Sequence, residues 1–489
     1  MMTVRDDAAS IGAKKVAGFS RPSRTTIRKG IAVAVSLLLV IGSAIAPETS
    51  GLSYAGREVL SILIAGIIMW ATEALPLPAT ALAVLIAMPI TGVCTFDEAY
   101  TNTVNSTVFF LMGTFAFTVV LDATTIPTRI ANAVLGWSGT SSNKMMLGFM
   151  AATALLSMFM SDVAACGVFI SVAKKLLELN HAKKLESNLG KALMIAIPWA
   201  SFAGGCAVMT GNGCNVVTAG LFKSLFGFEI TFVQWAMLGT PIALVLLLAC
   251  WFILTRWFKP ENISPESIEQ TKAETEQLGK LKAPEVKTVV VILGAMVFWV
   301  ISSWVPAINT AEVAIIAVVL FSIPGWSCLE FKELITRMNW GVILMIMCII
   351  SVSHFIVSTG AGDWVVNSVV GSLPEAAKTP IVLILIMSII GAVAHNVVPV
   401  GPAVAGMIAY PFGAICGEFG VAMELAVMLV AFQASFAFML PLDCVPILTY
   451  SAGYYKMSDM IKIGWLPTLV NILLNITLLP ALCMLFGYL

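Results

Sequence analysis

The 489-residue chain is 59% hydrophobic and only 11% charged, where a soluble domain carries about 25% charged residues. Its 27 basic and 27 acidic residues cancel, and no basic stripe with interleaved aromatics occurs, which excludes nucleic acid as a partner. Apolar runs of roughly 17 to 25 residues, enough to cross a bilayer as helices, recur along almost the whole chain. The fold class is therefore an all-α polytopic membrane protein, with the lipid bilayer as its surroundings and no room for a large soluble domain.

In chain order, residues 1–29 read as a retained cytoplasmic tail carrying Arg5, Lys14, Lys15, Arg21, Arg24, Arg28 and Lys29, with no signal-peptide cleavage pattern. Residues 30–258 form a first half, with spans expected at Gly30–Ala46, Gly56–Ala71, Leu75–Val93, Ser106–Leu121, Ala192–Leu221 and Trp235–Phe258, and a long pair at Lys144–Leu176. Residues 259–287, a polar stretch, read as a cytoplasmic linker. Residues 288–489 form the second half, with spans at Thr288–Val305, Ala311–Ile323, Trp340–Val357, Leu425–Tyr450 and Ile463–Phe486, and a second long pair at Thr379–Tyr410. If both long pairs are re-entrant hairpins, about eleven spans remain. With the N-terminus inside, all of the 27 Lys and Arg except Arg57, Lys223 and Lys378 then fall on the cytoplasmic side, as the positive-inside rule requires. The C-terminus lies outside in this arrangement. The ten cysteines are scattered singly and read as small buried side chains.

The halves repeat one another. "VFFLMGTFAFTVVLDATTIPTRIANAVLG" and "GVILMIMCIISVSHFIVSTGAGDWVVNSVVG" share a span, a small polar break and an amphipathic stretch, and each precedes a polar-tipped hairpin and an interrupted span. With one hairpin opening inward and the other outward, the repeats are inverted. Inverted repeats with broken helices mark secondary transporters, whose sites lie near the midplane between the repeats.

Four polar interruptions stand in apolar surroundings: Ser161-Asp162-Val163, "TGNGCN" at Thr210–Asn215, His395-Asn396-Val397, and "LDCVP" at Leu442–Pro446. Non-helical backbone at this depth is tolerated only where it is buried in protein or lines a cavity. Half-helices beginning at Ser161 or His395 would aim free N–H groups at an anion. The oxygens of Ser157, Ser161, Asn212, Asn215 and Asn396 suit a small hard cation such as Na+. Asp162 and Asp443 are read as the acidic residues deep in apolar segments, and a carboxylate there is a functional residue by default. Each is open to three roles: a Na+ ligand, a proton carrier, or a protonated cap on a half-helix. His395 changes charge near neutral pH and is placed to supply positive charge to an anion or to pair with Asp443. His181 reads as solvated and His354 as a packing residue.

The segments "FFLMGTFAF", "IPWASFAGGCAVMTGNGCNVVTAGLF" and "QASFAFMLPLDCVPILTYSAGYYKMSDM" resemble the divalent anion:sodium symporter (DASS) family, from about Glu58 to the C-terminus. The resemblance implies transport of di- or tricarboxylates or sulfate, Na+ as the coupling ion, a homodimer, and an elevator-type movement of a transport domain. It places Ser157, Ser161, Asp162, Gly211 and Asn215 at a first cation site, and Ala394, Asn396 and Asp443 at a second with His395 and Cys444 nearby. Ser161, Val163, Asn212, His395, Asn396, Val397, Cys444 and Pro446 would meet the substrate. The chain departs from the family pattern in four respects: both tip threonines are valines, one tip serine is His395, Gly213-Cys214 replace two prolines, and no asparagine follows Pro446.

The expectation is thus a cation-coupled anion transporter of a bacterial inner membrane, either a Na+ symporter or an H+-coupled carrier or exchanger using Asp162, His395 and Asp443. A channel would need a ring of like charges or a repeated filter motif, and neither is present. No HExxH and no nucleophile motif occurs, so the chain is not expected to be an enzyme, and no cofactor beyond Na+ or H+ is expected.

Overall fold

The computed structural model describes residues 24–47, 51–101, 103–267, 269–270 and 278–488. Most of the basic N-terminal tail, including Arg5, Lys14, Lys15 and Arg21, lies outside these residues, as does part of the expected linker. The first helix begins at Arg24, so Arg28 and Lys29, assigned to the tail from sequence, are helical.

Among the described residues, eight helices are long and apolar enough to cross a bilayer, or nine if Ser106–Asp122 and Ile126–Val134, bent by 65°, form one span. Leu77–Ile90, Thr310–Phe321 and Met423–Ser435 are apolar but shorter. One of the eight, Pro380–Val397, is an arm of the second hairpin. With that arm set aside, the long, bent and short apolar helices fall on the eleven stretches expected to cross.

Packing follows composition. Asn188–Ala207 is apolar almost all round, and from Leu189 onward only Lys191 escapes burial; such a helix belongs in a protein interior. Arg24–Ile45 is the opposite case: Leu37, Leu38 and Ile45 are each more than half exposed, as suits a lipid-facing helix. His354, expected to be packed, is exposed on Trp340–Ser358.

The first hairpin pairs Ser142–Ser157 with Asp162–Leu179. The second pairs Pro380–Val397 with Gly401–Glu418. They open toward opposite ends of the molecule. At the first hairpin's open end, Ser142 Oγ donates to Pro260 O (3.1 Å), and the Ser264 N–H donates to Asn180 Oδ1 (2.8 Å). Residues 260–264 lie just past Phe232–Phe258, a helix of 27 residues and hence about 40 Å. Near the start of that helix is Phe226, and Gly413 of the second hairpin packs against Phe222 and Phe226. The opposed openings agree with the inverted repeat. So do the breaks: Ala123–Thr125 and Thr359–Gly360 interrupt corresponding helices, and Val208–Asn212 and Phe436–Val445 interrupt the next pair.

The start of the linker is docked, not free. Glu261 accepts hydrogen bonds from the Asn188 N–H (2.9 Å), the Leu189 N–H (2.6 Å) and Ser187 Oγ (3.3 Å), at the positive end of Asn188–Ala207. Partial burial pushes its carboxyl up, but the N–H groups of Leu189 and Asn188 outweigh burial and hold it below the usual glutamate range. A folded-state pKa below the unfolded value of about 4.3 contributes stability that is whole at neutral pH and is lost as the pH falls through that range. Glu261→Gln should therefore destabilise the protein by about 0.5–1 kcal/mol at pH 7. Thermal unfolding in detergent should show this gap at neutral pH, and it should shrink as the pH falls below the usual glutamate range; a gap that stays constant on acidification would refute the charge–dipole account.

Candidate functional site

The first polar cluster forms because a hairpin tip and a helix break meet. Ser161 caps the second hairpin arm: its Oγ accepts from the Ala164 N–H (3.4 Å), while its own N–H donates to Thr118 Oγ1 (2.8 Å). Asp162 follows as the first helical residue, so the cap is the serine and not the aspartate. The Asp162 carboxylate, 5% exposed, turns onto Asn188–Ala207. Oδ1 accepts from Ser157 Oγ and from Ser201 Oγ (3.1 Å), and Oδ2 accepts from Asn212 Nδ2 (2.6 Å). All of these donors are neutral. An ionised carboxylate in such a place is costly unless it is paired, so the cluster calls for a proton or a cation.

The break beside it is held by Asn215, whose Nδ2 donates to Gly205 O (2.8 Å) and Val208 O (2.9 Å). This asparagine ties the unwound strand back to the helix and does not touch Asp162. Gly211 stands against the carbonyls of Ser157 and Gly205, and a Cβ there would lie 2.6 Å from Ser157 O. Gly205 faces Asp162, and a Cβ on it would collide with the carboxylate. Carboxylate, hydroxyl and carbonyl oxygens are thus gathered within one buried volume, a donor set that suits a small hard cation.

The second cluster differs from the sequence expectation. His395 does not begin a half-helix; it lies in the last turn of Pro380–Val397, and the break is Val398–Val400, so the positive helix end is at Gly401. Pro399 has no N–H to continue the helix, and it disfavours helical backbone at Val398, which moves the break past the polar residues. His395 Nδ1 is 2.9 Å from Gln433 O, and Nε2 is 3.5 Å from Asp443 Oδ2. Asp443 Oδ1 accepts from the Val445 N–H (3.0 Å) and from Cys444 Sγ (3.5 Å). Asn396 turns its amide back onto Ala392 O (2.7 Å) of its own helix. Ala394 and Pro446 are buried, whereas the tip valines are exposed, Val163 by 40% and Val397 by 66%.

Of the sequence candidates, then, Ser157, Asp162 and Asn212 share one hydrogen-bonded cluster with Gly211 against it, and His395, Asp443 and Cys444 share another. The two halves touch at Gly401, which packs against Cys214 of the first broken helix and Ala434 of the second. Sequence reasoning missed Ser201, Gln433, Thr118 and Glu58. A signal for Ser201 was present: "ASFA" occurs at Ala200–Ala203 and again at Ala434–Ala437, at the same 234-residue offset that relates Ser161 to His395. Glu58, in the first turns of Tyr54–Ala71, is fully buried with both carboxylate oxygens unbonded.

Known proteins agree with this architecture. The chain is 28% identical over 448 residues to a sodium-dependent dicarboxylate transporter, SdcS, of Staphylococcus saprophyticus, covering 87% of this chain and 86% of the relative. A Staphylococcus aureus SdcS is 26% identical over 451 residues, covering 87% and 85%. Among solved structures, the Neisseria gonorrhoeae efflux pump MtrF superposes with a TM-score of 0.56 at 12% identity, covering 94% of this chain and 95% of that one. The Alcanivorax borkumensis transporter YdaH gives 0.54 at 12%, covering 95% and 99%. At such identity these two speak to fold alone. The sodium:sulfate symporter transmembrane region matches residues 27–488, nearly the whole chain. The resemblance to the divalent anion:sodium symporters therefore holds, and the chain belongs to the sodium:sulfate symporter transmembrane family.

Proposed function

We propose that the protein is a secondary active transporter that moves a small anion of the dicarboxylate, tricarboxylate or sulfate class across a bacterial inner membrane, with Na+ as the coupling ion. The observation that carries this reading is the Asp162 cluster: oxygens from a hairpin tip and a helix break, buried and served only by neutral donors. Na+ would sit among the Asp162 carboxylate, the hydroxyls of Ser157 and Ser201 and the carbonyls beside Gly211, with Ser161 and Asn215 holding the surrounding backbone. The anion would lie between the halves, near Asn212, His395, Asn396, Cys444 and Pro446, with Val163 and Val397 as an apolar rim where relatives offer hydroxyls. The basic end of the molecule, at Lys183, Lys184 and Lys191, supports a cytoplasmic N-terminus and an external C-terminus. Family membership supports an elevator-type movement of a transport domain within a homodimer. The test is uptake of radiolabelled succinate and sulfate into proteoliposomes with Na+ and pH gradients imposed separately. Uptake driven by the Na+ gradient alone is expected; uptake driven only by the pH gradient would remove the Na+ reading.

One observation favours a second reading, H+ coupling or exchange through the other cluster. With Nδ1 bound to the Gln433 carbonyl, that nitrogen carries the proton, and Nε2 then turns a lone pair toward Asp443 Oδ2. Two buried acceptors face each other, and a proton shared between them relieves the conflict. In Asp443→Asn the amide donates to Nε2 without a titrating proton. Under this reading the variant should flatten the pH profile of uptake; an unchanged profile would leave His395 and Asp443 without a role in coupling.

A further inference from the structure

A cavity of about 420 Å3 lies apart from both polar clusters, and none of the residues assigned to the candidate site lines it. Its mouth carries Lys223 and Glu229, each substantially exposed. Its floor is formed by Met209 and Val216, both buried. Hydroxyl side chains, among them Thr107 and Ser303, line the wall between. Met209 belongs to the break Val208–Asn212 itself, so the cavity reaches from the surface to the first helix break. It lies near the start of Phe232–Phe258, with Thr231 and Phe232 in its lining. That places it about 40 Å along the helix from the basic end at Glu261 and Asn188.

The volume falls within the roughly 300–1,000 Å3 of small-molecule sites. The single ion pair at the mouth, Lys223 Nζ to Glu229 Oε1 at 3.0 Å, is exposed, and such pairs contribute about 0–1 kcal/mol. An anion can therefore replace Glu229 on Lys223 at little cost, while the hydroxyls of the wall donate to its remaining oxygens. An ammonium at the mouth of a cleft walled by low-dielectric protein also raises the local concentration of anions.

We propose that this cavity is an outer loading site, in which Lys223 exchanges Glu229 for a carboxylate or sulfate oxygen of the incoming anion before the anion passes Met209 toward the breaks. The proposal rests on the transport reading above. It is tested with the full-length protein in proteoliposomes, measuring initial rates against external succinate and, separately, sulfate. Lys223→Gln should raise KM roughly tenfold with the maximal rate unchanged. Glu229→Gln should lower KM, because Lys223 loses its competitor. A merely structural ion pair predicts shifts of the same sign for both variants, and that result would overturn the loading site, as would a wild-type KM in both. Wild-type protein that takes up neither anion would remove the transport reading and this one together. Uptake by the wild type with unmoved variants would remove only the loading site.

Discussion

Asp162→Ala is expected to lower cation-driven uptake by at least about a hundredfold, because it removes the charge that would hold the cation and takes the carboxylate away from three neutral donors. Those donors are Ser157 Oγ, Ser201 Oγ and Asn212 Nδ2. Ser201 Oγ keeps the Asp162 backbone carbonyl (3.1 Å) and Ser157 Oγ can donate to Ser201 Oγ (3.0 Å), so the loss falls on the Asn212 amide; one unpaired donor costs about 1–3 kcal/mol, and thermal unfolding in detergent should show it. The informative companion is Asp162→Asn, an amide of nearly the same shape. It keeps an oxygen for the hydroxyls and removes the charge. If Asp162 binds Na+, this variant should still transport, with half-saturation for Na+ raised about tenfold, equivalent to about 1.4 kcal/mol. If Asp162 instead carries a coupling proton, the variant should lose its pH dependence and keep its Na+ response. Wild-type kinetics toward both ions would take Asp162 out of coupling altogether.

Gly204→Val should be the most damaging single change in the packing of the first half. A Cβ at Gly204 would overlap the backbone of Ala154, so Asn188–Ala207 and the first hairpin arm are in backbone contact there. Backbone cannot swing aside as a side chain does, and overpacking of this kind costs about 1–3 kcal/mol or more. The contact lies one turn from Ser201 and one residue from Gly205, which faces Asp162. A shift of the hairpin would therefore also pull Ser157 and Asp162 away from Ser201 and Asn212. The expected result is a Tm several degrees below wild type, with uptake lost even in protein that remains folded. A wild-type Tm would show that the hairpin slides freely on this helix.

Much of this could be read from the chain. The bilayer forces every backbone polar group to be satisfied within its own segment, so apolar length translates directly into helices, and the eleven expected stretches coincide with apolar helices. The resemblance rested on local runs such as "QASFAFMLPLDCVPILTY", and the family match covers the same region. Asp162 was conspicuous because burying a charge carries a penalty that composition alone exposes. Glu58 escaped notice: it stands near a helix start, and only the neighbouring helices bury it.

The amino-acid sequence alone determined the class of protein, the helices and three of the four polar breaks in them, since each depends on residues close together in the chain. Tertiary structure decided the partners. Ser201 joins Asp162 across 39 residues, and Gln433 and Asp443 reach His395 across 38 and 48. No local pattern encodes which carbonyl takes the Nδ1 proton of His395, because that is set by how a hairpin tip packs into a helix break. Proline placement decided one further point: Pro399 moved the second break beyond His395, so the polar tip read from sequence became the last turn of a helix.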